Sequence, residues 1–160
     1  MLKNLFVVHC FSMDKECHTC NGSIERFVFE TKYWRVNLAD EQSYLGRCFV
    51  DLKSHKGDLA ELNSGEWADF VLLVKTLEAK CRKAFGASMF NWTCLMNNAF
   101  RKKPWNPHVH WHFRPRYEKP VKFAGLVFSD PDFGEHYDRA RDLKLDAEKA
   151  RLVIEAIKKA

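Results

Sequence analysis

Three histidines fall at every second position in His108-Val109-His110-Trp111-His112-Phe113, and the run continues through Arg114-Pro115-Arg116. Side chains along a β-strand alternate between faces. His108, His110, His112, Arg114 and Arg116 would therefore share one side, with Val109, Trp111 and Phe113 packed beneath. An imidazole titrating near pH 6.5 can serve as nucleophile, general base, acid or metal ligand, and a guanidinium is a fixed, forked donor for phosphate. Such a strand is suited to phosphate chemistry. A histidine tag would be an unbroken run at a terminus. Histidines interleaved at the strand period with large apolar residues, which need a core, point instead to a built site.

Cysteine supplies the second set of reactive side chains. There are six, at positions 10, 17, 20, 48, 81 and 94, and only Cys17 and Cys20 form a close pair, so no disulfide framework is indicated. Cys17-His18-Thr19-Cys20-Asn21-Gly22 reads as two thiolates on a tight turn closed by Asn-Gly. A redox pair would be expected to open a helix after a buried strand, whereas Gly22-Ser23 and another apolar segment follow. Zinc is favoured, provided two further ligands exist. His55, in Lys53-Ser54-His55-Lys56-Gly57, stands where the chain leaves a strand for a helix.

Charge is concentrated around the histidines. The chain has 26 basic and 21 acidic residues, a net +5, too small an excess to demand a nucleic-acid partner. Between Arg101 and Lys122, however, seven basic residues face a single acid, Glu118. That local field favours an anionic ligand.

The elements that must position these residues can be read from periodicity. Phe27-Val28-Phe29, Tyr33 to Leu38 and Gly46 to Leu52 are aromatic and β-branched segments separated by turn residues, and predict three strands. Asn63-x-x-Glu66 is a capping-box pattern. Trp67, Phe70, Val71, Val74, Leu77 and Cys81 follow at three-and-four spacing, predicting a main helix to Phe85 that stops at Gly86. Met89 to Asn97 predicts a strand whose end lies near the histidine strand. Ala150, Val153, Ile154 and Ile157 predict a last helix from about Asp146. At 160 residues, with 46% hydrophobic and 14% aromatic side chains, one globular domain is expected. No apolar run approaches the roughly 20 residues that span a bilayer. Met1 to Val8 is too short for a secretory segment, so a cytoplasmic protein is expected.

Taken together, these residues resemble the histidine triad (HIT) superfamily, whose motif is His-φ-His-φ-His-φ-φ with φ apolar, usually running into Pro-Arg. His108 to Phe113 with Pro115-Arg116 matches it. The similarity covers roughly residues 17–117, with a Cys-x-x-Cys, two strands, a strand ending near His55, a helix, an Asn-ended strand and then the triad in order. The tail from Phe128 through Ser129-Asp130-Pro131-Asp132-Phe133-Gly134-Glu135-His136-Tyr137-Asp138 is similar to a prokaryotic, diadenosine-tetraphosphate-hydrolase-like branch.

The resemblance implies an α+β fold, in which a five-stranded antiparallel sheet is packed by a main helix. Here a core of about 17–117 would carry a helical extension over about 118–160, commonly as a homodimer. It implies a nucleotide hydrolase or nucleotidyl transferase working through a covalent nucleotidyl-histidine, on dinucleoside polyphosphates or related conjugates. His110 would be the nucleophile and His112 would contact the scissile phosphate or leaving group. Asn97 would lie near the ribose or α-phosphate. Cys17, Cys20, His55 and His108 would bind a structural zinc.

Two positions depart from the family pattern. Lys102-Lys103-Pro104-Trp105-Asn106-Pro107 stands where many members carry Gln, Thr or Ser ahead of the triad. Arg114 occupies the last apolar position of the motif, on the histidine face by alternation, and with Arg116 is a candidate phosphate ligand. A non-catalytic nucleotide-binding protein is one alternative function. Processing of adenylylated nucleic-acid ends, served by the basic loop 101–103, is another.

Overall fold

In the computed structural model, Asp14, residues 16–21 and residues 24–160 are described. Cys10 and the Met1 to Val8 segment lie outside the described residues. Five strands form one antiparallel sheet: β1 (Phe27–Glu30), β2 (Trp34–Leu38), β3 (Cys48–Leu52), β4 (Met89–Cys94) and β5 (His110–Arg116). Their spatial order is β1-β2-β3-β5-β4, which places the histidine strand between β3 and β4 rather than at an edge.

The main helix, α1 (Ser64–Phe85), starts at the expected box. Asn63 Oδ1 accepts from the Glu66 amide at 3.0 Å, and Glu66 Oε2 accepts from the Asn63 amide at 2.8 Å. The helix ends where Gly86 takes the left-handed conformation (φ 73°) that residues with a Cβ avoid, and the Gly86 amide donates to the Arg82 carbonyl. Its buried stripe is Phe70, Leu73, Leu77, Cys81 and Phe85. Trp67 and Val71, expected on that stripe, are 37% and 52% exposed. Residues 70–74 are apolar on every side of the helix. Spacing alone therefore could not fix its rotation, and the sheet selected the Leu73 side.

Alternation fixes what each sheet face does. Trp111 and Phe113 of β5 point toward α1 with Val50, Cys48 and Trp92 of the flanking strands, and Trp111 stacks on Phe70 with ring centroids 4.8 Å apart. Val109, Phe113, Val50 and Leu77 have no exposed surface. The tail returns over this core: a hairpin of β6 (Val121–Phe123) and β7 (Leu126–Phe128) turns at Ala124-Gly125, both with positive φ. Then α2 (Ala147–Lys159), capped by Asp146, packs against β1 and α1. Its buried residues are the four expected, Ala150, Val153, Ile154 and Ile157, and they join the same hydrophobic cluster as Val28 and Phe113. Among the described residues, no helix is long and apolar enough to cross a membrane.

Candidate active site and metal centre

β5 begins at His110, so His108 stands just ahead of the strand instead of within it, and the backbone there is held by different partners. The Val109 amide donates to the Lys56 carbonyl and the Leu52 amide to the Val109 carbonyl. His108 is thereby turned into a buried cluster with Cys17, Cys20 and His55. Its Nε2 lies 2.7 Å from the Leu52 carbonyl, which can only accept, so Nε2 carries the hydrogen and Nδ1 keeps its lone pair. That Nδ1 is 3.4 Å from Cys17 Sγ, 3.4 Å from Cys20 Sγ and 3.2 Å from His55 Nδ1, while Cys20 Sγ is 3.5 Å from His55 Nδ1.

A tetrahedron with Zn–S near 2.3 Å and Zn–N near 2.0 Å has edges of about 3.3–3.8 Å, so these four separations suit donors around one ion, and all four donor atoms lie within 4.8 Å of one another. Two thiolates and two imidazoles make a closed structural zinc site, with no position left for substrate. Asp14 Oδ2 lies 3.9 Å from His55 Nε2 and accepts from the Asn106 amide at 3.0 Å, backing one ligand and tying the loop before the triad to the knuckle. Burial, above all, pushes the His108 imidazole down to about 4, which keeps it in the unprotonated form a metal requires.

The same residue positions the next histidine. His110 Nδ1 is 2.8 Å from the His108 carbonyl, so Nδ1 is the protonated nitrogen and Nε2 holds the free lone pair. Phe49, across on β3, meets both His110 and His112 edge-on, with centroids 6.2 Å and 5.0 Å away. His112 is pushed down to about 4, chiefly by burial and then by its neighbours His110, Arg47 and Arg114, against the pull of the Leu95 carbonyl. It is neutral at pH 7.

Register fills in the rest of this face. Asp51 and Phe49 of β3 pair with His110 and His112, Asn37 of β2 pairs with Phe49, and Thr93 and Asn91 of β4 pair with His112 and Arg114. Asn37 donates to Asp51 at 2.8 Å, and burial raises the Asp51 carboxyl above its usual range. These residues were not singled out from the sequence, although Met89-Phe90-Asn91-Trp92-Thr93-Cys94 alternates openly and could have revealed Asn91 and Thr93.

Two expected phosphate ligands are placed otherwise. Arg116 is fully buried and committed: it pairs with Asp130 through Nε (2.6 Å) and a terminal nitrogen (3.0 Å), and donates to Asn91 Oδ1 and to the Glu135 and Asp132 carbonyls. It anchors the 129–138 loop. β4 stops at Cys94, three residues short of Asn97, which opens an exposed 3-10 turn (Asn97–Phe100) with no side-chain bond to the histidine strand among the described residues. Arg114 does remain on the site face, 7% exposed, with its guanidinium 3.9 Å from the centre of the Tyr137 ring.

No protein-family model matches the sequence, and no curated protein matches it detectably. Solved structures do match in fold. A hypothetical histidine triad nucleotide-binding protein from Sulfolobus tokodaii is 20% identical, covers 89% of this chain and 90% of its own, and superposes with a TM-score of 0.64. A zinc-bound histidine triad family protein from Mycobacterium smegmatis is 19% identical over 90% of this chain and 94% of its own, with a TM-score of 0.60. The diadenosine triphosphate hydrolase of Plasmodium falciparum is 16% identical over 86% and 77%, also at 0.60. The fold of this chain is that of the histidine triad proteins.

Proposed function

We propose that this protein is a nucleotide hydrolase or nucleotidyl transferase in which His110 takes the nucleotidyl group covalently. The observation that carries the proposal is the 2.8 Å contact between His110 Nδ1 and the His108 carbonyl, which presents an unprotonated Nε2 on the open face of the sheet. Nε2 attacks the α-phosphorus, the bond from phosphorus to the leaving group breaks, and its electron pair departs with that group. In the second half, water or another acceptor attacks phosphorus and returns the imidazole to its starting form. His112, neutral and on the same face, hydrogen-bonds to the reacting phosphate or the departing atom.

Zinc, held by Cys17, Cys20, His55 and His108, would supply no reaction chemistry and would fix the residue that orients the nucleophile. Placement errors of about 1 Å can cost about a hundredfold in rate, so this rigidity matters. Likeness in fold to both a diadenosine triphosphate hydrolase and a uridylyltransferase supports either fate of the intermediate. The same reading includes a homodimer, for which exposed Trp67, Val71 and Leu72 offer apolar surface on α1.

Rapid quenching with a radiolabelled nucleotide tests the proposal. An acid-labile, base-stable phosphoramidate should map to His110. His110→Ala should lose the label and at least about 10³-fold in turnover, while keeping zinc and fold. Label on His112 or His136, or near-native turnover by His110→Ala, would overturn it.

A further inference from the structure

The face that carries His110 and His112 does not end at the triad. Two residues further along β5, Arg114 is buried, yet among the described residues its Nε has no hydrogen-bond partner and its guanidinium is in no ion pair. A buried cation without a counter-charge is costly, and proteins retain one where something else supplies the charge. The neighbouring arginines each have a carboxylate: Arg116 pairs with Asp130, and Arg47 pairs with Glu41 at 2.6 Å through one terminal nitrogen, which leaves its Nε without a partner among the described residues. Arg114 has no carboxylate of its own: Glu41 is bonded to Arg47 and acts on Arg114 only at longer range, and the Tyr137 ring is its near contact.

Four more buried polar atoms on the same face also lack partners among the described residues: Thr93 Oγ1, His112 Nε2 and Arg47 Nε near Arg114, and Asn37 Oδ1 further across the sheet. Thr93 pairs directly with His112 in the sheet, and Arg47 lies over the Phe49 ring that His112 also meets. The 129–138 loop completes the surround. Arg116 ties it down, and Tyr137 lies against the Arg114 guanidinium while the Tyr44 hydroxyl receives the Asp138 amide. Beside this cluster a groove of about 570 Å³ runs between Asn91 and Thr93 on one side and Gly134 to Tyr137 on the other. That is within the usual size of a small-molecule site, about 300–1,000 Å³.

We propose that Arg114, Arg47 and Thr93, walled by Tyr137, form an anion subsite for the leaving group, so that the substrate is a phosphoanhydride whose departing half begins with a phosphate. This inference rests on His110 being the nucleophile. When Nε2 bonds to the α-phosphorus, the bridging P–O bond breaks and the bridging oxygen leaves with the electron pair, adding negative charge to the departing phosphate. Arg114 meets that charge as it develops. An amine leaving group would instead take up one proton and depart neutral, or a second and become a cation beside two guanidiniums, and an uncharged alcohol would likewise bring Arg114 no negative charge. The loop's function in this account is to build the leaving-group side of the site.

The test has a binding arm and a kinetic arm, both on full-length zinc-loaded protein. Calorimetric titration with inorganic tripolyphosphate should show binding to the wild type, weakened about tenfold or more in Arg114→Gln, as expected for loss of a charge-assisted contact. Arg114→Lys should recover part of it. Thr93→Val, which removes only the hydroxyl, should weaken binding about threefold or more and serves if Arg114→Gln does not fold. In kinetics, Arg114→Gln should lower kcat/KM at least about tenfold more for diadenosine tetraphosphate than for adenosine 5′-phosphoramidate, which shares the adenylyl half.

Tripolyphosphate binding that is absent, or equal in wild type and Arg114→Gln, would overturn the subsite. An equal loss on both substrates would place Arg114 on the nucleotidyl half and overturn the leaving-group assignment. If neither substrate is turned over but tripolyphosphate binding depends on Arg114, the subsite stands and the catalytic reading of His110 fails.

Discussion

The two ends of the histidine strand are built on opposite principles. At the His108 end both ring nitrogens and the carbonyl have a use: Nε2 is bonded to the Leu52 carbonyl, Nδ1 faces two thiolates and a second imidazole, and the main-chain carbonyl receives His110. At the Arg114 end the guanidinium Nε, Thr93 Oγ1 and His112 Nε2 are buried with nothing bonded to them among the described residues. Arg116, one step beyond, shows that the second pattern is not forced by position. Two residues from Arg114 and on the same face, it has five side-chain hydrogen bonds and a buried carboxylate. A saturated group contributes to stability, whereas an unsaturated one is retained at a cost that a bound ligand would offset.

Breaking the saturated end should have the largest effect. Structural zinc contributes about 10–16 kcal/mol of binding free energy in small metal-folded domains, so Cys17→Ser with Cys20→Ser should lose the metal and unfold or loosen the knuckle. The larger core of this protein, with its sheet and two helices, can survive in part. A fall in Tm of at least about 10 °C is the expected result, given about 2–4 °C per kcal/mol for a domain of this size. Metal analysis and calorimetry on untagged protein check it. A variant that keeps its zinc, or one that loses it with Tm unchanged, would contradict the contrast.

The two arginines give a smaller and more pointed comparison. Arg116→Met strands the Asp130 carboxylate, whose side chain is 1% exposed, and should cost about 3–5 kcal/mol. Arg114→Met removes a buried charge that has no ion pair and rests on the Tyr137 ring, so the ligand-free protein should lose no more than about 2 kcal/mol. Urea unfolding of both variants measures the difference. Equal destabilisation would mean that Arg114 has a structural partner after all.

Strand alternation makes these two arginines identical, and that marks the limit of what the sequence could say. The zinc ligands, the Asn63–Glu66 cap, the Gly86 stop, α2 and the order of strands were all legible, because each depends on local spacing or on residue types with few other uses. The bonds of Arg116 were not legible because its partners, Asp130 and the Asp132 and Glu135 carbonyls, lie in a loop whose path is set by tertiary packing. The strand end was placed at Asn97 instead of Cys94 because an Asn pair after a strand suits a strand end and a 3-10 turn equally. Asp51 and Asn37 sit in segments recognised as strands, but only the register shows that Asp51 comes opposite His110.

The smallest expected effect is the response to acid, and it falls on His112, where the two ends meet. Its folded-state pKa of about 4 lies below the value near 6.5 expected when unfolded. Above pH 6.5 both states are neutral there and His112 adds no pH dependence. Between about 6.5 and 4 the unfolded chain binds a proton that the folded chain refuses, so stability falls as the solution is acidified through that window. Between pH 7.5 and 5.5 the contribution should be of order 1 kcal/mol, reduced from the full shift because part of the ring meets solvent. Subtracting the curve of His112→Gln removes the metal site's own acid sensitivity, which both proteins share. A wild type that loses no more stability than the variant over this range would show that the ring is not held neutral. Tripolyphosphate sharpens the measurement: an anion beside His112 favours its protonated form, so saturating ligand should shrink the difference between the two curves.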